Sequence, residues 1–199
     1  MTPAAGSGRP AVPAIQYGRS VSGEHSAYLM VIGDREALAW VLSTRQTAFP
    51  AARAGQVSRL AVGDELLVYT TRGCFRNPTR DRGRVVARAT VAAPIARDEE
   101  PVRFGGREYP LRCPLHVTEL APFGRGVVLA DHVEALHAFP DPRSWSVRLR
   151  RPLVPLDAHD RDLLAGLLRP ELAPLDDALP EYLRRGVPVQ QQSRRAPAP

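Results

Sequence analysis

The sequence predicts an α+β fold, a small mixed β-barrel with peripheral helices. Strand patterns outnumber helix patterns and follow one another through short links, whereas a doubly wound sheet needs a helix after almost every strand. The predicted order is β, α, β, β, β, α, β, α. Such an order favours a mixed, strongly curved sheet that closes on itself, and the stretch from residue 62 to 91 is its organising unit.

The first predicted elements are a central strand and a capped helix. Residues 26–32 are almost all apolar, which is typical of a strand covered on both faces. Asp34 is a typical N-cap for a helix over residues 35–43, where apolar residues recur at helical spacing. Residues 44–62 are predicted to form a loop that extends to residue 50, followed by a turn of helix.

The organising unit comes next. Gly63-Asp64 is a turn signal, and residues 65–71 are rich in residues that fit a half-buried strand. Residues 72–78 form a loop with two arginines and an aromatic ring, and the chain returns as a second strand over residues 84–91. A rigid strand pair that presents a basic, aromatic loop is a common way to build a binding mouth.

The second half of the chain is predicted to alternate between short strands and helices. In order it carries a surface connection over residues 98–106 with a short strand at 102–104, an edge strand within 109–120, a short helix opened by a capping box at 131–134, an amphipathic strand over 144–150, a helix from Asp157 to about Leu168, and a weak helix over 176–185. The strand over 144–150 has the clearest alternation of apolar and polar residues.

Composition divides the chain into one domain and two extensions. Residues 1–25 are rich in Pro, Gly, Ala and Ser and are predicted to be a disordered tail. Residues 26–170 are predicted to form the domain, and residues 171–199 a weak helix with a basic, disordered tail. The chain is expected to be cytoplasmic, because it has no apolar run near the roughly 20 residues of a membrane span and no secretory signal. A monomer is expected, although no sequence feature determines the oligomeric state.

Cysteine and charge narrow the class of protein. Cys74 and Cys113 are the only cysteines, so a disulfide framework is not expected, although one bridge between them is open. All 27 basic residues are arginine, and the formal net charge is +6. GC-rich coding would produce this bias, and so would an arginine-lined surface for phosphates. Composition leaves both explanations open.

Motifs for metal binding and catalysis are missing from the sequence. Cys113 and His116 are three residues apart, but on a strand they point to opposite faces, and no second ligand pair exists, so no metal is expected. There is no Gly-x-Ser-x-Gly elbow, no Cys–His signature and no glycine-rich phosphate loop, and without lysine there is no Schiff-base chemistry. Binding without a cofactor remains.

Aromatic rings beside arginines suggest what is bound. A single-stranded or flipped base is held by stacking on such rings. Phe75, flanked by Arg72 and Arg76 at a loop tip, favours contact with a polyanion. Core packing is the stronger interpretation for Tyr69 and Trp145, because each lies in a strand pattern.

Several segments also follow one another in a recognisable order. They are Tyr28-Leu29-Met30-Val31 leading to Trp40, residues 60–69 with Gly63-Asp64 before a strand that ends in Tyr69, residues 83–91, Tyr109-Pro110-Leu111-Arg112-Cys113, and Leu136-His137-Ala138-Phe139 before residues 143–150. From about Tyr28 to Leu168 their order and spacing resemble the EVE family, within the PUA-like group that includes YTH and ASCH domains.

The resemblance implies a PUA-like small mixed β-barrel whose cleft binds nucleic acid, DNA or RNA, through a flipped or modified base. It implies cleft positions around residues 40–45, 69–71 and 145–148. Together with the basic loop, the predicted site is Trp40, Ser43, Arg45, Tyr69, Thr70, Thr71, Arg72, Phe75, Arg76, Trp145 and Arg148.

The predicted function is therefore a non-catalytic nucleic-acid-binding module without metal, cofactor or membrane. Two alternatives stay open. Some ASCH relatives hydrolyse modified nucleosides; the absence of lysine excludes a lysine base, while Glu119 or Asp131 could be proposed as the base. A partner-binding protein would instead act through the basic tail over residues 184–195.

Overall fold

A computed structural model describes residues 25–77 and 79–186 of the chain. Residues 1–24 of the predicted N-terminal tail and residues 187–199 of the predicted C-terminal extension lie outside the described residues.

Within these residues, ten strands join in one connected sheet and four α-helices pack around it. The strands are β1 (Ala27–Ile32), β2 (Gln46–Phe49), β3 (Glu65–Thr70), β4 (Arg84–Val91), β5 (Ala96–Phe104), β6 (Arg107–His116), β7 (Glu119–Leu120), β8 (Val127–Val128), β9 (Leu153–Leu156) and β10 (Ala173–Pro174). The helices are α1 (Arg35–Thr44), α2 (Ala54–Val57), α3 (Ala158–Leu168) and α4 (Leu175–Gly186).

The sheet is mixed and curled. Its main path runs β10-β7-β4-β3-β1-β9, and β1 and β3 form a parallel pair at its centre. Strand β6 leaves this path, because it pairs with β4 at one end and with β2 and β5 along its length. That branch turns the sheet into a half-barrel with peripheral helices, so the predicted fold class is confirmed.

The predicted central strand and its capped helix are confirmed. Strand β1 has a neighbour on each side, and four of its six residues, Ala27, Leu29, Met30 and Ile32, are buried. The Asp34 carboxylate accepts hydrogen bonds from the backbone N–H groups of Glu36 (2.8 Å) and Ala37 (3.0 Å), which satisfies two donors that the helix start would leave open. Helix α1 ends at Arg45, whose backbone is left-handed with φ 53°.

The predicted strand over residues 144–150 is wrong. Residues Trp145–Arg150 form a 3₁₀ helix, with Val147 N donating to the Ser144 carbonyl at 3.0 Å. The edge of β1 that such a strand could join is taken by β9, and Val147 is 53% exposed. The alternation of apolar and polar residues therefore had no partner strand to bury its apolar face.

Two segments predicted as connections are strands. Residues 46–49, predicted as loop, form β2 and pair with β6, which lies about 65 residues further along the chain and cannot be anticipated locally. Residues 98–106, predicted as a connection with a strand at 102–104, belong largely to β5. Gly105 and Gly106, both at positive φ, turn β5 back into β6 as a hairpin.

The predicted capping box at residues 131–134 does not form. The segment makes consecutive 3₁₀ turns without a side-chain cap. The Asp131 carboxylate instead pairs with Arg82 across the structure, so it is not available to cap its own helix.

The two C-terminal helices are confirmed. Asp157 accepts from Asp160 N at 2.9 Å and begins α3, as predicted. Helix α4 packs against α1, where Gly186 meets Ala39 closely. The buried Tyr182 hydroxyl donates to the Ala121 carbonyl at 2.9 Å, which ties α4 to the sheet.

The two cysteines are free thiols inside the core, 1% (Cys74) and 0% (Cys113) exposed. Burial raises the pKa of the Cys74 thiol to about 12, assisted by the nearby carboxylates of Asp34 and Asp81. Burial alone raises the pKa of Cys113 to about 11. Among the described residues, none of the helices is long and apolar enough to span a bilayer.

Both thiols should therefore resist a thiol reagent until the protein unfolds, since the thiolate is the reactive form. We expect no reaction with Ellman's reagent at about pH 8 in the native protein. After denaturation in guanidinium chloride both Cys74 and Cys113 should react. Rapid labelling of the native protein would contradict the buried positions of these residues.

Candidate nucleic-acid interface

The carboxyl ends of the parallel strands β1 and β3 define one edge of the sheet, which we call the carboxyl edge. Ile32 is paired with Thr70 there, and Thr71 N donates to the Ile32 carbonyl at 3.0 Å. Helix α1 follows β1 at this edge and the basic loop follows β3. Because β4 and β9 run antiparallel to these strands, the segments that precede them also reach this edge. In sheets with parallel strands, ligands commonly bind at the edge where the carboxyl ends of the strands lie.

A cavity of about 110 Å³ opens on one side of the carboxyl edge, and we call it the aromatic pocket. It lies between β1, α1, β2 and the β5–β6 hairpin. The Trp40 and Phe104 rings meet edge to face with centroids 5.8 Å apart, and the Phe104 and Tyr109 rings do the same at 5.3 Å. Phe49 lines the inner wall. The cavity is well below the roughly 300 Å³ of drug-sized sites, so it suits one planar ring.

Two charged groups flank the aromatic pocket. Asp34 uses its Oδ1 to cap α1, whereas its Oδ2 accepts no hydrogen bond from the described residues. The Arg112 guanidinium lies 5.8 Å from the centre of the Trp40 ring and is held by an ion pair with Asp98 at 2.9 Å. The pocket thus combines apolar walls, one carboxylate acceptor and a cation behind one ring.

A second cavity, of about 120 Å³, opens on the other side of the carboxyl edge, and we call it the arginine pocket. Rings of Phe75, Phe123 and Tyr182 contribute to its lining. Four guanidinium groups also line it, those of Arg80, Arg82, Arg84 and Arg125.

The structure divides the predicted site residues between these two pockets and their surroundings. Trp40 lines the aromatic pocket, and Thr70, Thr71 and Phe75 line the arginine pocket. Ser43 is exposed on α1, where its hydroxyl donates to the Trp40 carbonyl at 3.2 Å. Arg45 is the C-cap of α1, and its guanidinium nitrogen lies 3.7 Å from a carboxylate oxygen of Asp176. The exposed Arg72 and Arg76 lie in the basic loop.

Tyr69 and the 3₁₀ helix of Trp145 are placed differently from the other predicted residues. Tyr69 is 1% exposed, its hydroxyl fills the space that a β-carbon on Gly83 would need, and burial raises its pKa to about 12. Its ring is therefore part of the core and lines neither pocket. Trp145 is half-buried, edge to face on Phe139 at 5.8 Å, and Arg148 is exposed beside it. Neither residue lines the aromatic or the arginine pocket.

Sequence reasoning missed Phe104 and Tyr109 as site residues. Phe104 was assigned to a short strand within a surface connection and Tyr109 to the start of an edge strand. Gly105-Gly106 between two runs with apolar and aromatic residues is a hairpin signal that could have placed both rings at one hairpin end. That such a hairpin faces Trp40 depends on contacts distant in sequence.

One cluster of potential metal ligands occurs in the part of the chain that the structure describes. Ligand atoms of His137, Asp157 and Asp160 lie within 4.8 Å of one another. Asp160 accepts from the backbone N–H groups of His137 (2.8 Å) and Ala138 (2.7 Å), and Asp157 pairs with His137 Nδ1 at 2.8 Å. These hydrogen bonds occupy the carboxylate oxygens of Asp157 and Asp160, and they join the start of α3 to residues 137–138.

Comparisons with known proteins find similar folds among solved structures. No family model matches the chain, and no curated protein matches it. Solved structures that match include the YTH domain of Mmi1 in complex with RNA (10% identity, 73% of this chain and 78% of that one, TM-score 0.48) and human THYN1 in complex with DNA containing 5-methylcytosine (13% identity, 71% and 96%, TM-score 0.47). A hypothetical protein from Leishmania major also matches (10% identity, 72% and 94%, TM-score 0.45). At these identities the matches are likenesses of fold alone.

The His137–Asp157 pair should make stability depend on pH. Hydrogen bonding and charge from Asp157 raise the pKa of His137, so its stabilising contribution is present below about pH 6.5 and is lost as the pH rises through the raised pKa. The pKa of Asp157 is lowered, first by the Asp160 N–H and then by His137, so its contribution persists down to about pH 4.

His137→Gln should accordingly lower the urea midpoint more at about pH 5.5 than at about pH 8.5. His116→Gln, at an exposed position of β6, is the matched control and should show no such difference. If His137→Gln lowered the urea midpoint equally at both pH values, a charged His137–Asp157 pair would be refuted.

Proposed function

We propose that this protein is a non-catalytic nucleic-acid-binding module that holds one base in the aromatic pocket. The observation that carries the proposal is the convergence of Trp40, Phe104 and Tyr109 on a cavity the size of a single planar ring, which Asp34 also lines. A base taken out of a stack loses its neighbouring rings, and a ring-lined pocket replaces them.

Asp34 supplies a preference among bases. A carboxylate oxygen accepts hydrogen bonds from exocyclic amino groups such as N4 of cytosine or N6 of adenine, which thymine and uracil lack. Because Oδ1 already caps α1, Oδ2 is fixed in direction without further ordering. Cytosine and adenine, with or without a methyl group, are therefore the proposed occupants. The two solved structures named above contain RNA and DNA with 5-methylcytosine, which are nucleic acids that carry such bases.

Arginines near the same edge favour a polyanionic ligand. Arg72 and Arg76 are exposed in the basic loop at this edge, Arg148 is exposed on the 3₁₀ helix over residues 145–150, and the whole chain carries a net charge of +6. Guanidinium groups bind phosphates with two parallel hydrogen bonds, so they would hold the strand on either side of the base. Affinity would then fall with salt, by about 0.7 in log–log slope for each phosphate of a single strand.

The placement of the acidic residues argues against the hydrolase alternative. The Asp131 carboxylate forms an ion pair with Arg82. Glu119 lies on β7, opposite Pro174 of β10 in the sheet. Neither residue lines the aromatic pocket. A base held there would be out of reach of both carboxylates that sequence reasoning offered as a general base.

Replacing one ring of the aromatic pocket tests the proposal. Phe104→Leu keeps an apolar side chain but removes the ring, and it should weaken binding of a short cytosine-containing single strand by roughly 5- to 100-fold, the range for one stacked base. Fluorescence polarisation measures the affinity. Tyr28→Leu removes a ring from the opposite edge of the sheet and should leave the affinity unchanged.

Unchanged affinity in Phe104→Leu would sink the proposal, provided that circular dichroism shows the variant folded. A chain that ends at residue 186 separates the partner-binding alternative, since binding through Arg194 and Arg195 of the basic tail would be lost in it and binding in the pocket would persist.

Asp34→Asn tests the preference among bases. Asparagine also caps helices well, so α1 should persist, but an amide nitrogen can replace the carboxylate oxygen at the pocket. The preference for a strand with a central cytosine over one with a central thymine should shrink by about 10-fold, as expected for one base contact of 1–3 kcal/mol. Retention of the full preference would show that Asp34 does not contact the base.

A further inference from the structure

The arginine pocket lies next to the aromatic pocket, across a ridge formed by the ends of β1 and β3. Gly33 lines the aromatic pocket and Thr71 lines the arginine pocket. A β-carbon on Gly33 would lie 3.5 Å from the Thr71 hydroxyl, so the ridge is only one pair of residues wide. A nucleic-acid strand that leaves the aromatic pocket over Gly33 therefore reaches the arginine pocket directly.

The floor of the arginine pocket is aromatic. Phe75 meets Phe123 edge to face at 4.9 Å, and both rings approach the buried Tyr182, at 6.2 and 5.6 Å. The Arg185 guanidinium covers the Phe123 ring at 3.9 Å from its centre. Phe75 remains half-buried, so part of its ring borders the cavity.

The rim of the arginine pocket holds oriented guanidinium groups. Arg125 binds Glu171 with two hydrogen bonds (2.9 and 3.2 Å), Arg82 pairs with Asp131, and Arg84 donates to the Gly126 carbonyl at 3.1 Å. A guanidinium has five N–H donors, so each of these contacts fixes a direction and leaves donors for a ligand.

The remaining charges on the rim still favour an anion. Arg80 is exposed and has no ion-pair partner in the part of the chain that the structure describes. Asp81 is the one carboxylate that lines the pocket, against four arginines. Arginine therefore predominates even when the carboxylates that hold Arg82 and Arg125 are counted.

An aromatic floor with an arginine rim matches a nucleotide. The floor suits a base, whose face stacks on a ring, and the rim suits its phosphate. A site for a bare anion would need no aromatic floor, and an apolar docking surface would not need four arginines.

We propose that the arginine pocket binds the nucleotide that neighbours the base held in the aromatic pocket, on the same strand. This inference rests on the proposed function, because the first base positions the second. It gives the basic loop around Phe75 a defined role, which is to close the second pocket at the carboxyl edge.

Two probes separate the pockets. The first is a single strand of about five nucleotides with a central cytosine, and the second is cytidine 5′-monophosphate, which can fill one pocket only. Calorimetry at low salt gives the affinity for the strand, and NMR titration gives that for the mononucleotide. The full chain is used throughout, and circular dichroism checks that each variant is folded.

Phe75→Leu and Arg80→Ser should each lower the affinity for the five-nucleotide strand. The loss should be roughly 5- to 100-fold for the ring and smaller for the arginine, while the affinity for cytidine 5′-monophosphate stays the same. Arg59→Ser, which removes an exposed arginine that lines neither the aromatic nor the arginine pocket, is the matched control for charge and should change neither affinity beyond a small salt-dependent effect.

Unchanged strand affinity in both Phe75→Leu and Arg80→Ser would overturn the inference, and if Phe104→Leu still weakens the strand, the proposed function survives it. A loss of mononucleotide affinity in Phe75→Leu would also overturn it, because the arginine pocket would then be the primary base site. Failure of Phe104→Leu to weaken either probe would instead remove the proposed function.

Discussion

The parallel pairing of β1 with β3 is the constraint on which the rest of the structure depends. All six residues of β1 are in register with β3, and the side chains of Leu29, Leu66, Leu67 and Val68 are completely buried. Because parallel strands end at the same edge, the N-terminus of α1 and the basic loop start side by side. Both pockets follow from this placement, one on each side of the two strand ends.

Local chemistry explains which parts of the fold were predictable. The strand over 27–32, the Asp34 cap, the β3–β4 pair and the Asp157 cap each depend on residues within a few positions, and the structure confirms them. The segments that were missed depend on distant partners. Strand β2 exists because β6 pairs with it, and residues 145–150 stay out of the sheet because β9 occupies the available edge.

The candidate site was predictable only in part, for the same reason. Trp40 and Phe75 were selected because rings beside loops are typical of binding surfaces, and the structure places each in a pocket. The sequence pattern alone does not show which rings meet. Phe104 and Tyr109 join Trp40 through the hairpin fold. Tyr69 is buried because β3 is covered on both faces, with residues 66–70 all buried.

The arginine bias of the composition can now be considered position by position. A purely genomic bias would scatter arginines without regard to their neighbours, and Arg59 or Arg107, exposed without an ion-pair partner among the described residues, fits that origin. At the arginine pocket, by contrast, three guanidinium groups are each oriented by a separate acceptor, Asp131, Glu171 or the Gly126 carbonyl, from segments distant in sequence. Ordering a long side chain costs conformational entropy, and exposed ion pairs return little stability. Arg88 and Arg112 are oriented in the same way elsewhere, by Glu65 and Asp98. What distinguishes the arginine pocket is that three such groups surround one cavity, where they would be oriented for the ligand proposed above.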